Sequence, residues 1–341
     1  MEVTMPLMSR QRVSDFFLKT AAITQQQCDK VAERITGGSI HPAPVQGLSS
    51  YTVLSSNGAF VVQFRAALSP LNLDRLKYIQ QTYGRFVPRH GISGRLKELH
   101  VYTMYNVGGI PMYIARDQLH QHHGHLLRQT VQDFARFFAL AWHNTPSYMS
   151  CPDRTSLFSQ YSWDLSRLAE GLPRRYRRSL DYLIANLPKL FVEDWPLVLH
   201  HCDLLQDNIH VNPGTGEIVG ICDWEDAAIA PFGMSIGNLE TMLVTRSTRN
   251  WCYHANQQVL RDLFWDTLYD AMGQVSEAQK ELIGIAALTG IFLQNGFDRG
   301  VDGNRVPASE GSVSLEYLEL VTLLLDRLQL SNVLAGYLDI F

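Results

Sequence analysis

Between residues 197 and 224 the sequence concentrates side chains able to hold a divalent cation and to handle a proton: Asp203, Asn208 and Asp223. Asn212-Pro213-Gly214-Thr215-Gly216 is a turn signal, because Pro presets φ and Gly supplies positive φ. Folding the chain there pairs residues 209–211 antiparallel with 218–220 and brings Asn208 and Asp223 to the same end of one hairpin. Asp203 lies just upstream, on the loop leading into the first strand, so three oxygen-bearing side chains are expected to converge. Asp and Asn oxygens are hard ligands suited to Mg2+, which uses one or two carboxylates and completes its shell with water and substrate phosphates. An Asp outside the coordination shell can accept or orient the proton of an attacking hydroxyl. Taken singly, such residues are common turn formers. Their joint spacing, with His201 and Trp224, is what points to chemistry.

The elements around this hairpin follow from periodicity. Residues 10–36 read as two short helices, with Thr24 and Gln27 spaced as a capping box and Gly37-Gly38 as the stop. From 39 to 65 the pattern turns to β. Runs containing Tyr51, Val53 and Phe60 to Phe64 flank Asn57-Gly58, whose residues both tolerate positive φ in a hairpin turn. A loop over 45–50 precedes this hairpin, a helix over 72–82 follows it, and Gly84 ends that helix. Val87-Pro88 and residues 99–104 read as two further strands. From Arg116 onward the character is helical. Val131, Phe134, Phe138 and Trp142 form one buried stripe, stopped by Asn144-Thr145-Pro146. Helices are also expected over 156–171, 174–187 and beyond 235 almost to the C-terminus, with 298–311 as a loop. The expected organisation is α+β: a helical extension (1–36), a small antiparallel-sheet lobe with one helix (37–105), and a larger helical lobe (106–341) carrying the hairpin region 199–224.

Bulk properties narrow the partners. The 341 residues are 46% hydrophobic and 18% charged, enough for a sizeable core, and the formal net charge of −4 argues against a dedicated nucleic-acid binder. No apolar run reaches the roughly 20 residues that cross a bilayer, and the opening MEVTMPLMSRQR has no signal-peptide apolar stretch. The five cysteines, without CxxC spacing, read as reduced thiols. A cytoplasmic protein acting on a small molecule is expected, with no nucleic-acid or membrane partner; oligomeric state is not legible. His120, His122, His123 and His125 lack the spacing and partners of a metal motif and read as a loop or helix start. Arg174 to Arg178 reads as a solvated helix face.

His201-Cys202-Asp203 with Asn208, followed by Ile221-Cys222-Asp223-Trp224, resembles the paired signature of the aminoglycoside phosphotransferase and choline kinase-like family. Asp226 to Gly233, the run Val61 to Arg65, and Tyr102-Thr103-Met104 leading to Gly108-Gly109 resemble its fungal-type branch. The resemblance spans roughly residues 35 to 300. It implies a two-lobed, protein-kinase-like fold that binds ATP or another nucleoside triphosphate with Mg2+. It implies Asp203 as catalytic base, and Asn208 and Asp223 as metal ligands. It also implies a hinge for adenine over 102–105, including Tyr102 and Met104, and a phosphate-covering loop over 46–51, including Gly47 and Ser49. His201 is implied as a buttress of the catalytic loop.

Three departures stand out. The phosphate loop has a single glycine, Gly47. The strand lysine that steadies phosphates in the family is replaced by Gln63, with Arg65 two residues on and on the same face. The helix glutamate that pairs with that lysine is matched by Asp74, one methylene shorter, so an Arg65–Asp74 pair is one way to replace the clamp, and whether Gln63 or Arg65 contacts phosphate stays open. These features leave two readings open. One is a small-molecule kinase that phosphorylates a hydroxyl of a metabolite or amine-bearing alcohol. The other is a protein that keeps the fold without phosphotransfer, as a binding module or a biosynthetic enzyme. A protein kinase is disfavoured, since no DFG or APE motif appears.

Overall fold

The computed structural model describes residues 6–20, 22–144, 151–246, 251–300 and 302–325. In chain order the first elements are α1 (Leu7–Lys19), α2 (Gln25–Thr36), β1 (Ile40–Pro42), β2 (Ser50–Ser55), β3 (Phe60–Arg65) and α3 (Leu73–Tyr83). Then come β4 (His90–Leu96), β5 (Leu99–Tyr105), β6 (Ile110–Pro111), α4 (Met112–His120), α5 (His125–His143), α6 (Arg154–Gly171) and α7 (Arg177–Asn186). The rest are β7 (Leu197–His200), β8 (Ile209–Val211), β9 (Ile218–Ile221), β10 (Ala228–Pro231), α8 (Leu239–Leu243), β11 (Val244–Arg246), β12 (Trp251–Tyr253), α9 (Gln257–Met272), α10 (Glu277–Asn295), β13 (Phe297–Arg299), β14 (Arg305–Pro307) and α11 (Val313–Leu325). The chain divides into two compact units: residues 1–116 with 207–225, and residues 117–206 with 226–341. The hairpin that carries Asn208 and Asp223 thus belongs with the first unit, whereas the sequence reading assigned it to the helical half.

In the first unit β1, β2, β3, β5 and β4 form an antiparallel sheet in that spatial order. Strand alternation sends Tyr51, Val53, Val62, Phe64, Leu99 and Val101 to one face, where they meet Phe16, Ile23, Cys28 and Ala32 of the N-terminal helical segment. Burial of each large apolar side chain contributes roughly 1.5–3 kcal/mol. Tyr51 also donates through its hydroxyl to Asp29 (2.8 Å) and accepts from Gln25 (3.0 Å), tying α2 to β2. The Thr24–Gln27 capping box forms, and Gly37 ends α2 in the left-handed region. The β2–β3 turn differs from expectation. Only Gly58 takes positive φ, while the Asn57 side chain accepts from the Ser55 hydroxyl and the Ala59 amide. Val87-Pro88 also lies outside the sheet, and β4 begins after it, where backbone N–H groups are again available.

A second sheet in this unit has the order β6-β8-β9, with Ile209 opposite Ile221 and His210 opposite Gly220. Gly220 permits a close approach: a Cβ there would lie 2.5 Å from Cβ of Val107. The segment leaving β5 therefore rests directly on the hairpin.

In the second unit Val131, Phe134 and Phe138 of the predicted α5 stripe are buried and Trp142 is half-buried, with Phe134 against Phe264 of α9 and Trp142 against Phe232 and Trp195. β7 pairs with β10, β11 with β12, and β13 with β14, all antiparallel. The last of these hairpins sits where a loop was expected; its strands are too short to show a period. Asn144 caps α5, while Thr145 and Pro146 lie outside the described residues, as does the chain beyond 325 where further helix was expected. Arg175 and Arg177 of the basic run form exposed ion pairs with Glu310 and Asp181. Among the described residues no helix is long and apolar enough to cross a membrane.

Candidate active site

In the first unit the hairpin turn closes with bonds from Asn212 N to Glu217 O (2.8 Å) and from Gly216 N to Asn212 O (2.8 Å). At the opposite end Cys222 N donates to Asn208 O (2.8 Å), which brings Asn208 and Asp223 to the same end of the strand pair. Asp223 has φ of 61°, a left-handed conformation that is uncommon outside glycine and costs roughly 1–2 kcal/mol. Such outliers persist only where their surroundings hold them. Trp224 does part of this: its indole N–H donates to Ile221 O (2.8 Å) and its ring packs 5.1 Å from that of Tyr83. Asp223 is exposed and Asn208 half-buried. This oxygen donor set, short of a full cage, fits Mg2+ carried largely by phosphates and water. Among the described residues no cluster of three or more His, Cys, Asp or Glu side chains could hold a metal by itself. Burial, reinforced by the charge of Asp223, pushes the Cys222 thiol up to about 12, so it stays protonated.

In the second unit Asp203 is exposed on the loop after β7. Its backbone N–H donates to Nδ1 of buried His201 (3.1 Å), a bond that requires an unprotonated Nδ1. His200 contacts the Ser235 hydroxyl (2.6 Å), and burial lowers its pKa to about 4. Ser235 also donates to His201 O (3.4 Å), and Gln206 Nε2 donates to Thr241 O. Both ends of the Asp203 loop are thus fastened to residues 235–241. Ser235, Gln206 and Thr241 carried no signal in the sequence, because their partners lie 34 or 35 positions away.

The residues expected to bind nucleotide divide. In the 46–51 loop Ser49 is exposed and Gly47 half-buried. Gln46 is buried, and its amide donates to Ala43 O and Thr52 O and accepts from Thr52 N. Arg12 of α1 donates to Gln46 O (2.7 Å) and the Ser9 hydroxyl accepts from Gln46 N (3.3 Å), so the N-terminal helix holds the start of this loop.

The expected Arg65–Asp74 pair is not formed. Arg65 instead pairs with Glu225, and Asp74 is exposed in the first turn of α3. The reason is local. Arg65 ends β3 pointing inward, its side chain 3% exposed, where the carbonyl and hydroxyl of Ser69 (2.8 Å each) complete its bonding beside Glu225. Gln63 donates to Ser50 and Thr52 hydroxyls and accepts from Arg65, all at 3.3 Å, so both β3 polar side chains have internal partners.

Tyr102 and Met104 lie within β5, an interior strand: Tyr102 is opposite Gln63 and Ile92, Met104 opposite Val61 and His90. Their backbone groups are taken up by the ladder, and the buried Tyr102 hydroxyl accepts from Leu71 N (3.0 Å). The first segment past the sheet is 106–109, where Asn106 N still bonds Ala59 O (3.0 Å).

Residues 51–263 match the phosphotransferase enzyme family APH. No curated protein matches the sequence significantly. Among solved structures, a putative aminoglycoside phosphotransferase from Ralstonia eutropha JMP134 superposes with a TM-score of 0.51 at 11% identity, over 83% of this chain and 88% of that one. Amicoumacin kinase, in complex with AMP-PNP, Ca2+ and Ami, gives 0.50 at 14% identity, over 81% of this chain and 86% of that one. A choline/ethanolamine kinase family protein from Mesorhizobium loti gives 0.49 at 15% identity, over 85% and 84%. At these identities the likeness is one of fold: an α+β, two-lobed, kinase-like architecture.

Proposed function

The chain belongs to the APH phosphotransferase enzyme family, and from that premise we propose that it transfers the γ-phosphoryl group of ATP, or another nucleoside triphosphate, to a hydroxyl of a small metabolite. The observation that carries this reading is the left-handed Asp223 held beside Asn208 at one end of the β8–β9 hairpin. Asn208 and Asp223 would hold Mg2+, which when bound neutralises charge on the phosphates. The exposed Asp203 carboxylate, its backbone fixed by His201, is the group that takes the acceptor proton. The acceptor oxygen forms its new P–O bond as the bond to the departing diphosphate breaks, and the proton passes to Asp203. We place the adenine-binding backbone at 106–109 rather than at Tyr102 and Met104, since those two have ladder partners.

A second reading, the fold without phosphotransfer, draws support from Gln63 and Arg65 both being engaged internally. One experiment separates the two. ATP and Mg2+ should raise the melting temperature, and a panel of amine-bearing alcohols should reveal ADP release. Asp203→Ala should lower turnover by roughly 10²–10⁴-fold while leaving the melting temperature unchanged. Nucleotide binding with no turnover on any acceptor favours the second reading; no nucleotide binding at all refutes the first.

A further inference from the structure

The strand cation in this chain has an occupation of its own. The Arg65 guanidinium donates from Nε to Ser69 O (2.8 Å), from Nη2 to the Ser69 hydroxyl (2.8 Å) and from Nη1 to Gln63 Oε1 (3.3 Å), and it is ion-paired with Glu225. The Ser69 hydroxyl in turn donates to Glu225 Oε1 (2.6 Å). A planar fork of five donors can serve a carbonyl, a hydroxyl and a carboxylate together, which an ammonium cannot do in one fixed geometry. Glu225 stands two residues after Asp223, whose backbone conformation needs support, and Trp224 between them is anchored to Ile221 and Tyr83.

We propose that Arg65, Ser69 and Glu225 form a tether that fixes the Asp223 segment from its C-terminal side. Arg65 is then a positioning residue for the metal-holding arm and does not contact phosphate. The role follows from the bonding: a buried arginine whose charge is met by Glu225 has little left to offer an anion, and its removal would release the charged anchor on residue 225, leaving the neutral Ser69 hydroxyl. This inference rests on the phosphotransferase reading for its catalytic consequence, though not for the tether itself.

The test uses the full chain with Glu225→Gln, Arg65→Gln and the double variant. In nucleotide-free protein, amide exchange over residues 222–226 should speed up about tenfold in each single variant and no further in the double, as expected when one charge-assisted anchor is lost. With ATP saturating, the concentration of Mg2+ for half-maximal rate should rise about tenfold in all three, while KM for the acceptor is unchanged. Ser69→Ala removes only a hydroxyl and carries the same measurements if an Arg65 variant does not fold. Lower melting temperature with unchanged exchange and Mg2+ requirement would mean simple structural stabilisation and overturns the proposal. A rise in nucleotide KM confined to Arg65→Gln would assign Arg65 to phosphate, and a Mg2+ effect confined to Glu225→Gln would make Glu225 a ligand; either overturns it. If the wild-type chain shows no turnover, the function proposed above fails, and the exchange measurement still decides the tether.

Discussion

Glu240 and Arg261 offer the sharpest energetic test of how the Asp203 loop is held. Their side chains are 7% and 4% exposed, and they meet through two parallel bonds of 2.7 and 2.6 Å, linking α8 to α9. Tyr253 covers the guanidinium, its ring centre 4.9 Å from Arg261 Cζ. Two unit charges 4 Å apart interact by about 4 kcal/mol at an effective dielectric of about 20, and breaking one side of a buried pair typically costs about 3–5 kcal/mol. Glu240→Gln keeps the length of the side chain and removes its charge, leaving Arg261 buried against a neutral amide. Urea unfolding of the second unit should show a loss of about 3 kcal/mol. Glu240→Leu and Arg261→Met should each cost a similar amount. The double variant Glu240→Leu/Arg261→Met should regain most of it, because two desolvated charges are then absent together, giving a coupling of about 2 kcal/mol or more. Thr241, next to Glu240, holds Gln206 through its carbonyl, so turnover should fall in the single variants and recover in the double. A single-variant loss below about 1 kcal/mol, or additivity in the double, refutes the reasoning.

Other expectations follow from the same contacts. Gly220→Ala puts a methyl group 2.5 Å from Val107 Cβ and should cost about 1–3 kcal/mol in thermal unfolding, with partial recovery on adding Val107→Ala. Arg12→Ala removes the 2.7 Å bond to Gln46 O and should raise nucleotide KM about tenfold at little change in kcat; an unchanged KM would separate α1 from the phosphate loop. His90 and His200 have pKa values lowered by burial from 6.5 to about 4. The unfolded chain therefore binds protons first, and the stability present above pH 6.5 is lost as pH falls toward 4, by up to about 1.4 kcal/mol per pH unit for each histidine. Urea midpoints at pH 7 and pH 5 check this, and equal stabilities contradict it. The melting shift produced by ATP should disappear in EDTA, because the β3 cation is occupied by Glu225; a shift that persists assigns phosphate binding to side chains alone.

Local signals predicted the local structure well. The turn at Pro213 to Gly216, the capping box at Thr24 and Gln27, and the α5 stripe each depend on residues within a few positions of one another, and all are found. Asn208 and Asp223 were paired correctly for that reason: one turn and two short strands define their proximity. The misplaced contacts are those whose partners lie far along the chain. Arg65 was matched to Asp74, nine positions away, whereas its partner Glu225 is 160 positions away and its Ser69 contact belongs to a turn with no period. The hinge over Tyr102 and Met104 came from the family resemblance alone, and β4, whose Gly91, Gly94 and register shift between Ile92 and Gly94 obscure its strand pattern, pairs along the second side of β5.

On the phosphotransferase reading proposed above, β3 carries no lysine to hold phosphate, and order in the first unit would offset that bond. An ammonium–phosphate bond contributes roughly 1.5–3 kcal/mol. Fixing the backbone of one loop residue costs roughly 1–2 kcal/mol, so a loop ordered before nucleotide arrives saves as much over two residues as the missing bond would supply. Gln46 has this ordering: its side-chain amide makes three bonds within the loop and strand, and Ser9 and Arg12 fix its backbone N–H and carbonyl from α1. Arg65 acts in the same sense on the turn after β3 and on Glu225. The N-terminal helix lies outside the matched family region, which begins at residue 51. A helix ahead of the matched region thus supports the start of the 46–51 loop.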